Sequence, residues 1–199
     1  MPGGAPPFIG LTGGMGAGKS TALAMLEELG AATLSTDAVV HELLDSDEVR
    51  GELVARFGEQ VAPHGRIDRG VVATHVFEQP DERKWLEGVL WPRVGERVDR
   101  WRRDEAAREP RPRALVVEVP LLFEAGMEGL FDHTIAVVTD EAAIAERTAD
   151  RGHAGVESRT SRQLSQKEKA QRAEYVVRND GDLEELRVTL SDLLENIDP

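Results

Sequence analysis

The stretch Gly13-Gly14-Met15-Gly16-Ala17-Gly18-Lys19-Ser20 decides the fold, because it fits the phosphate-loop pattern G-x-x-x-x-G-K-[ST]. Before it, residues 8–11 form a short apolar run suited to a buried strand. After it, residues 21–29 carry apolar side chains at helical spacing, and Gly30 stands where a helix C-cap glycine would. A strand, a glycine loop and a helix in this order are the context in which the pattern binds a nucleoside triphosphate.

The residues of this loop have the chemistry that phosphate binding needs. The glycines let successive backbone N–H groups curl around phosphate oxygens, and the helix N-terminus adds its positive dipole end. We expect Lys19 to reach the β- and γ-phosphates and the Ser20 hydroxyl to ligate Mg²⁺. The predicted nucleotide-binding residues are Gly14, Met15, Gly16, Ala17, Gly18, Lys19, Ser20 and Thr21.

Composition restricts the class of protein. The chain has 199 residues, of which 40% are apolar, enough for one α/β domain with a buried core. No apolar run approaches the ~20 residues that a membrane span requires, and the first seven residues lack the regions of a signal peptide. There is no cysteine, which excludes disulfides and thiolate metal sites, and a net charge of −13 argues against a broad nucleic-acid surface. We therefore expect a cytoplasmic protein with neither membrane nor nucleic-acid partners.

Helical and strand patterns alternate along the rest of the chain, which predicts a P-loop type α/β fold with a parallel sheet covered on both faces. Further strands are expected at 31–35, 114–119, 133–139 and 175–177. Helices are expected after Asp68, after Asp81 with a kink or restart at Pro92, after Asp140 over 141–150, and at the C-terminus. The last helix has a stripe of Leu183, Leu186, Leu190, Leu193 and Leu194.

Two stretches interrupt the nucleotide core of this single domain (1–199), which we place at about 8–40, 114–150 and 173–199. Residues from about 41 to 113 form a helical insertion, and residues from about 151 to 172 are polar and rich in Arg, Gln and Lys. In a kinase of small metabolites these would be an acceptor-binding region and a closing lid that excludes water. The alternative for the second stretch is a solvated helical hairpin, and Lys167-Glu168-Lys169 is most simply a solvated face.

Two acidic residues are candidates for chemistry beside the loop. Glu118 lies in the apolar run 114–119, which we take as the central strand, and an acid there usually reaches Mg²⁺ directly or through water. Its alternative role is only to accept hydrogen bonds at a strand end. Asp37 follows the second strand, where it is either a general base for an attacking hydroxyl or the N-cap of a helix starting at Ala38.

Beyond the loop, several segments together resemble the dephospho-CoA kinase family. They are Gly10 to Thr21, Asp37 with His41-Glu42-Leu43-Leu44, the Phe77, Pro80 and Trp85-Leu86 spacing, Val119-Pro120-Leu121-Leu122-Phe123-Glu124, and Arg172 to Gly181. The resemblance covers roughly 8 to 194. It implies ATP and Mg²⁺ as cofactors, and transfer of the ATP γ-phosphate to the ribose 3′-hydroxyl of dephospho-CoA, the last step of coenzyme A synthesis.

The resemblance also implies roles for individual residues. It favours Asp37 as the catalytic base and maps Arg147 onto an arginine that clamps phosphates. With Lys19, these are the expected catalytic residues. Residues expected on the acceptor side are Thr12, Asp37, Trp91, Arg159 and Gln163. Asn179 is expected either to read adenine through its amide or to be a turn residue.

Two positions depart from the family pattern. Ser35-Thr36-Asp37 replaces an Asp-Ala-Asp sequence, and Leu90-Trp91-Pro92 replaces Leu-His-Pro. Both lie on the expected acceptor side. They keep a second interpretation open, a nucleoside or nucleoside-monophosphate kinase on the same core. A third is a nucleotide-binding regulator without an acceptor, although the chain has no Asn-Lys-x-Asp sequence for reading guanine.

Overall fold

A computed structural model of the protein describes residues 4–77, 79–140 and 163–197. The chain divides into two compact units, residues 1–35 with 101–199 and residues 36–100. The first unit contains a five-stranded, wholly parallel sheet with the strand order β2-β3-β1-β4-β5. Its strands are β1 (Phe8–Gly13), β2 (Ala32–Ser35), β3 (Leu115–Glu118), β4 (His133–Val138) and β5 (Tyr175–Arg178).

Seven α-helices lie within the described residues, and one of them, α5, runs across the boundary between the two units at residue 100. They are α1 (Lys19–Glu28), α2 (Thr36–Asp45), α3 (Asp47–Phe57), α4 (Arg69–Phe77), α5 (Pro80–Ala106), α6 (Gln166–Arg172) and α7 (Leu183–Ile197). Short 3₁₀ turns lie at Glu59–Val61, Pro63–Gly65 and Glu128–Leu130. No helix within the described residues is both long and apolar enough to cross a membrane.

The core of the first unit forms where α1 and α7 pack on the sheet. Leu26 of α1 and Leu190 and Leu194 of α7 are fully buried with Ile9 and Leu11 of β1. Burying a leucine completely contributes about 1.5–3 kcal/mol. The stripe predicted for α7 is confirmed at its four later leucines but wrong at Leu183, which is 64% exposed because it opens the helix.

The fold class is confirmed, and one detail of the prediction is wrong. The central strand is β1, and β3 lies between β2 and β1. Both strands are apolar and buried, so their hydrophobicity does not reveal their order in the sheet. The predicted helix over 141–150 lies outside the described residues.

The second unit is helical and has its own small core, in which Val49, Leu53 and Val61 are fully buried. Asp68 caps α4 as predicted, since its Oδ1 accepts from the backbone N–H groups of Gly70 at 2.9 Å and Val71 at 3.1 Å. Of the kink or restart expected at Pro92, the restart is absent, since α5 is one helix that includes Pro92.

Candidate active site

The phosphate loop connects β1 to α1 with a backbone that requires glycine. Gly16 and Gly18 have φ angles of 76° and 90°, in the left-handed region. A Cβ at Gly13 would collide with the carbonyl oxygen of Val137 on β4. Gly18 is also the N-cap of α1, and it has no side chain that caps the helix. The first turn of α1 therefore presents its N–H groups and positive dipole end to an anion.

Lys19 opens α1, and its ammonium group lies over the loop. Its Nζ donates to the carbonyl oxygens of Gly13 at 3.1 Å and Gly14 at 2.9 Å. Ser20 and Thr21 follow in the first turn and are exposed. The loop thus combines a backbone cradle, one lysine and two hydroxyls within one turn of helix, a donor set that suits a triphosphate with Mg²⁺.

Two amide side chains hold the loop and its neighbour β4 from the C-terminal part of the chain. The Asn179 amide is buried after β5, and its Nδ2 donates to the Ala17 carbonyl oxygen at 2.9 Å. Gln166 of α6 pairs with the Thr139 backbone twice, accepting from its N–H at 2.9 Å and donating to its carbonyl at 3.1 Å. The structure therefore places the Asn179 amide on the phosphate loop, and its contact with adenine stays a prediction.

A buried lysine lies beneath the same edge of the sheet. The Lys169 side chain is fully buried, and its Nζ donates to Thr12 Oγ1 at 3.2 Å and to the Pro120 carbonyl at 2.6 Å. It also pairs with Glu124, at 3.0 Å from Oε1. We call these four residues the Lys169 cluster. Burial lowers the pKa of Lys169, and the hydrogen bond and charge of Glu124 raise it in part.

This cluster corrects the expectation of a solvated face at 167–169. Lys169 points inward because α6 packs one side on the sheet, whereas Lys167 is exposed. Thr12, predicted on the acceptor side, is fully buried, and its hydroxyl donates to the Pro120 carbonyl at 3.3 Å. Its role toward an acceptor stays a prediction.

Glu118 ends β3 and is half-buried. In the sheet register it stands opposite Ser35 of β2 and Leu11 of β1, so it lies at the carboxyl edge with the loop. No three histidine or acidic side chains come together as a metal-binding group within 4–77, 79–140 and 163–197. Mg²⁺ in nucleotide sites usually takes one or two protein ligands and completes its shell with phosphates and water. Ser20 and Glu118 fit that donor set.

The other predicted residues are placed as follows. Asp37 is exposed and lies inside the first turn of α2, which begins at Thr36, so the N-cap interpretation is wrong. Trp91 is 54% exposed on α5, and its role toward an acceptor stays a prediction. Gln163 is half-buried. Arg147 and Arg159 lie outside the described residues.

Comparison with known proteins decides the family. The sequence profile of the family described as dephospho-CoA kinase matches residues 7–185. The chain belongs to the dephospho-CoA kinase family. A dephospho-CoA kinase of Protochlamydia amoebophila is 36% identical over 194 residues, 95% of each chain. One of Symbiobacterium thermophilum is 39% identical over 186 residues, 90% of this chain and 77% of the relative.

Two solved structures share the fold of this chain. The crystal structure of TT1252 from Thermus thermophilus is 32% identical, with a TM-score of 0.78 over 97% of this chain and 98% of that one. The dephospho-CoA kinase from Campylobacter jejuni has a TM-score of 0.66 at 23% identity, covering 97% and 98% of the two chains, and shows the shared fold.

Sequence reasoning missed the contacts that three residues make at this edge of the sheet: Lys169, its partner Glu124, and Gln166. One signal was available. Val119 to Glu124 ends in an acidic residue next to an apolar run, and an acid packed against a core needs a cationic partner. Nothing local identifies that partner as Lys169, 45 residues further along the chain.

Proposed function

We propose that the chain transfers the γ-phosphoryl group of ATP to the ribose 3′-hydroxyl of dephospho-CoA, giving coenzyme A. One observation carries the proposal: the family match extends from residue 7 to 185, far beyond a phosphate loop that many nucleotide-binding proteins share. The loop geometry supplies the ATP side. The departures at Ser35 and Trp91 concern the acceptor side and are addressed by the test below.

The phosphate loop would bind the ATP phosphates through its N–H groups, from Gly14 to Thr21. Lys19 contacts the Gly13 and Gly14 carbonyls, which keeps its ammonium over the loop, where it would stabilise charge on the β- and γ-phosphates. The N-terminus of α1 adds to this stabilisation. These groups act mainly by position and charge, as phosphoryl transfer requires.

Mg²⁺ is the proposed metal. Ser20 would hold it directly, and Glu118 through water. When bound, it neutralises charge on the phosphates. Its fit rests on the exposed hydroxyl in the first turn of α1 and on a carboxylate at the same edge of the sheet.

Asp37 is proposed as the general base that accepts the proton of the 3′-hydroxyl and orients its oxygen toward the γ-phosphorus. Asp37 is exposed and lies two residues after the last residue of β2, which supports this role. Arg147 is proposed to clamp phosphates. Residues proposed on the acceptor side are Thr12, Trp91, Arg159 and Gln163.

The domain plan is part of the proposal. The nucleotide core would comprise 8–40, 114–150 and 173–199, with 41–113 binding the acceptor and 151–172 as the lid that excludes water. Within that lid α6 packs on the sheet, and residues 151–162 lie outside the described residues. The net charge of −13 supports a small-molecule substrate rather than nucleic acid. We also propose that the enzyme is cytoplasmic.

An acceptor panel tests the function. Purified protein with ATP and Mg²⁺ is offered dephospho-CoA, AMP, cytidine monophosphate or no acceptor, and ADP is measured. We expect rapid turnover only with dephospho-CoA. Preference for a nucleoside monophosphate would reassign the acceptor, and ADP formation independent of any acceptor would indicate a nucleotide-hydrolysing regulator.

A further inference from the structure

Lys169 uses every hydrogen-bond donor it has inside the protein. Its ammonium group has three N–H donors, and the cluster offers three partners: Thr12 Oγ1, the Pro120 carbonyl and the Glu124 carboxylate. No buried side-chain nitrogen or oxygen in the described part of the chain lacks a partner. The lysine is therefore fixed in one geometry.

Two of these partners belong to the ends of adjacent strands. Thr12 is the residue before Gly13, whose carbonyl oxygen accepts from Lys19, so it leads directly into the phosphate loop. Pro120 lies two residues after β3, next to the backbone hydrogen bond from the Val119 N–H to the Leu11 carbonyl at 2.8 Å, and its own carbonyl also accepts from the Thr12 hydroxyl at 3.3 Å. Lys169 thus joins the chain entering the loop to the chain leaving β3.

The third partner extends the connection to α6. Besides pairing with Lys169, Glu124 accepts from the backbone N–H of Leu164 at 2.8 Å. Leu164 precedes the Ser165 capping box of α6, and Gln166 then pairs with Thr139 at the end of β4. The carboxyl ends of β3, β1 and β4 are consequently all bonded to α6 or to the two residues before it.

Stability alone is a poor reason for such a residue. Replacing a buried ion pair by apolar side chains of similar size is often neutral or stabilising, since the pair has to be desolvated. What an apolar residue cannot supply is directional bonding to named backbone and hydroxyl oxygens. These oxygens lie at the carboxyl edge of a parallel sheet, where ligands of open α/β folds bind.

We propose that Lys169 is a positioning residue for phosphoryl transfer, which fixes the end of β1 against the segment 119–124 and so keeps the phosphate loop in its working geometry. The proposal rests on the proposed kinase function. Lys169 is fully buried, so it acts through Thr12 and Pro120. A misplacement of about 1 Å can reduce a rate by ~10² without abolishing binding. We therefore expect kcat to fall by about 10- to 100-fold and KM for ATP to change by less than about threefold.

The test separates positioning from stability by removing the charges together. Lys169→Met alone leaves Glu124 without its cation, and we expect the unfolding temperature to fall by roughly 10 °C. Lys169→Met with Glu124→Gln removes both charges, while the glutamine keeps an oxygen for the Leu164 N–H. Its unfolding temperature should recover to within roughly 4 °C of the native protein. Lys167→Met, an exposed lysine on the same helix, is the control.

In the double variant kcat should remain low despite the recovered stability. A kcat within about fivefold of native in the folded double variant, or a change confined to KM, would show that the cluster only stabilises the fold and would overturn the proposal. If the methionine variant does not fold, Lys169→Leu with Glu124→Gln, which also removes the donor to Pro120, replaces it and is judged by the same criterion.

Acceptor-free ATP hydrolysis is measured on the same proteins. It reports on the phosphate loop even if dephospho-CoA is not the acceptor, so the two proposals fail separately. A native protein inactive on dephospho-CoA contradicts the proposed function. A native protein that is active, with an equally active double variant, contradicts only the role of Lys169.

Discussion

Two lysines contact adjacent residues at the end of β1, and they differ in almost everything else. Lys19 is half-exposed, and its ammonium contacts the carbonyls of Gly13 and Gly14, five or six residues away in the chain. Lys169 is fully buried and reaches Thr12 from 157 residues away. A lysine on the surface of the loop is suited to meet phosphate. A lysine enclosed beneath it is suited to hold the loop in place.

The difference separates two kinds of contribution to one site. Lys19 is specified by its neighbours, since the glycines before it and the helix after it determine where its ammonium lies. Lys169 is specified only by the tertiary fold, which brings α6 onto the ends of β1 and β3. Removing Lys19 should therefore cost rate without much stability, and removing Lys169 should cost both.

The largest expected loss involves neither lysine. Asp37→Asn should leave ATP affinity within a few-fold of native but reduce turnover by ~10²–10⁴, the usual contribution of a positioned general base. The amide is similar in size, so folding should survive. Turnover and thermal unfolding are measured on one preparation. Full activity in a stable Asp37→Asn protein would mean that the reaction needs no base at this position.

Lys19→Ala should cause the next largest loss of turnover, and it tests the more exposed of the two lysines. We expect turnover to fall by ~10²–10³, because a cation is withdrawn from the phosphates in the transition state. The free energy of unfolding should fall by no more than about 1–3 kcal/mol, the net value of the two described hydrogen bonds from Lys19 to the partly buried carbonyls of Gly13 and Gly14. Near-native turnover in folded Lys19→Ala would contradict the phosphate-loop assignment.

Asn179→Leu tests whether the loop depends on a second distant residue. The change removes the donor to the buried Ala17 carbonyl, which should lower the free energy of unfolding by about 1–3 kcal/mol and raise KM for ATP several-fold. Chemical denaturation and kinetics with ATP and GTP are the measurements, with exposed Val176→Ala as the control. A loss of discrimination between ATP and GTP would instead favour adenine recognition by this amide.

The smallest expected effect is a change of stability with pH, which compares buried Lys169 with an exposed lysine. Burial lowers the pKa of folded Lys169 below 10.5, the ordinary value expected in the unfolded chain. Between these values the unfolded chain binds more protons, so stability rises with pH. The native protein should therefore gain stability relative to Lys169→Met as the pH rises from the lowered pKa of Lys169 toward 10.5. Denaturation curves at several pH values check this, with Lys167→Met as baseline. A flat or falling difference would mean that burial does not lower this pKa.

Local signals predicted the fold well. The glycine loop, with an apolar run before it and apolar residues at helical spacing after it, predicted β1 and α1. Short apolar runs predicted the ends of β2 to β5 to within about a residue or two. The order of the strands was not accessible, because β1 and β3 are equally apolar and only their connections place β1 in the centre.

The site residues also differ in whether the local sequence could predict them. The contiguous loop residues from Gly13 to Thr21 were predicted as a set, since their spacing alone positions them. Lys169, Glu124 and Gln166 were not, because each matters through partners at least 27 residues away. A lysine between a glutamate and an alanine in a polar helix has the local pattern of a solvated face. Its burial depends on which side of α6 meets the sheet.

The most direct test of the central claim is the identity of the product. The native protein is incubated with ATP, Mg²⁺ and dephospho-CoA, and phosphorus NMR follows every phosphate in the mixture. The account predicts that ADP and a new 3′-phosphate on the acceptor ribose appear in equal amounts, with little inorganic phosphate. ADP accompanied only by inorganic phosphate, or an acceptor that remains unphosphorylated, would contradict it.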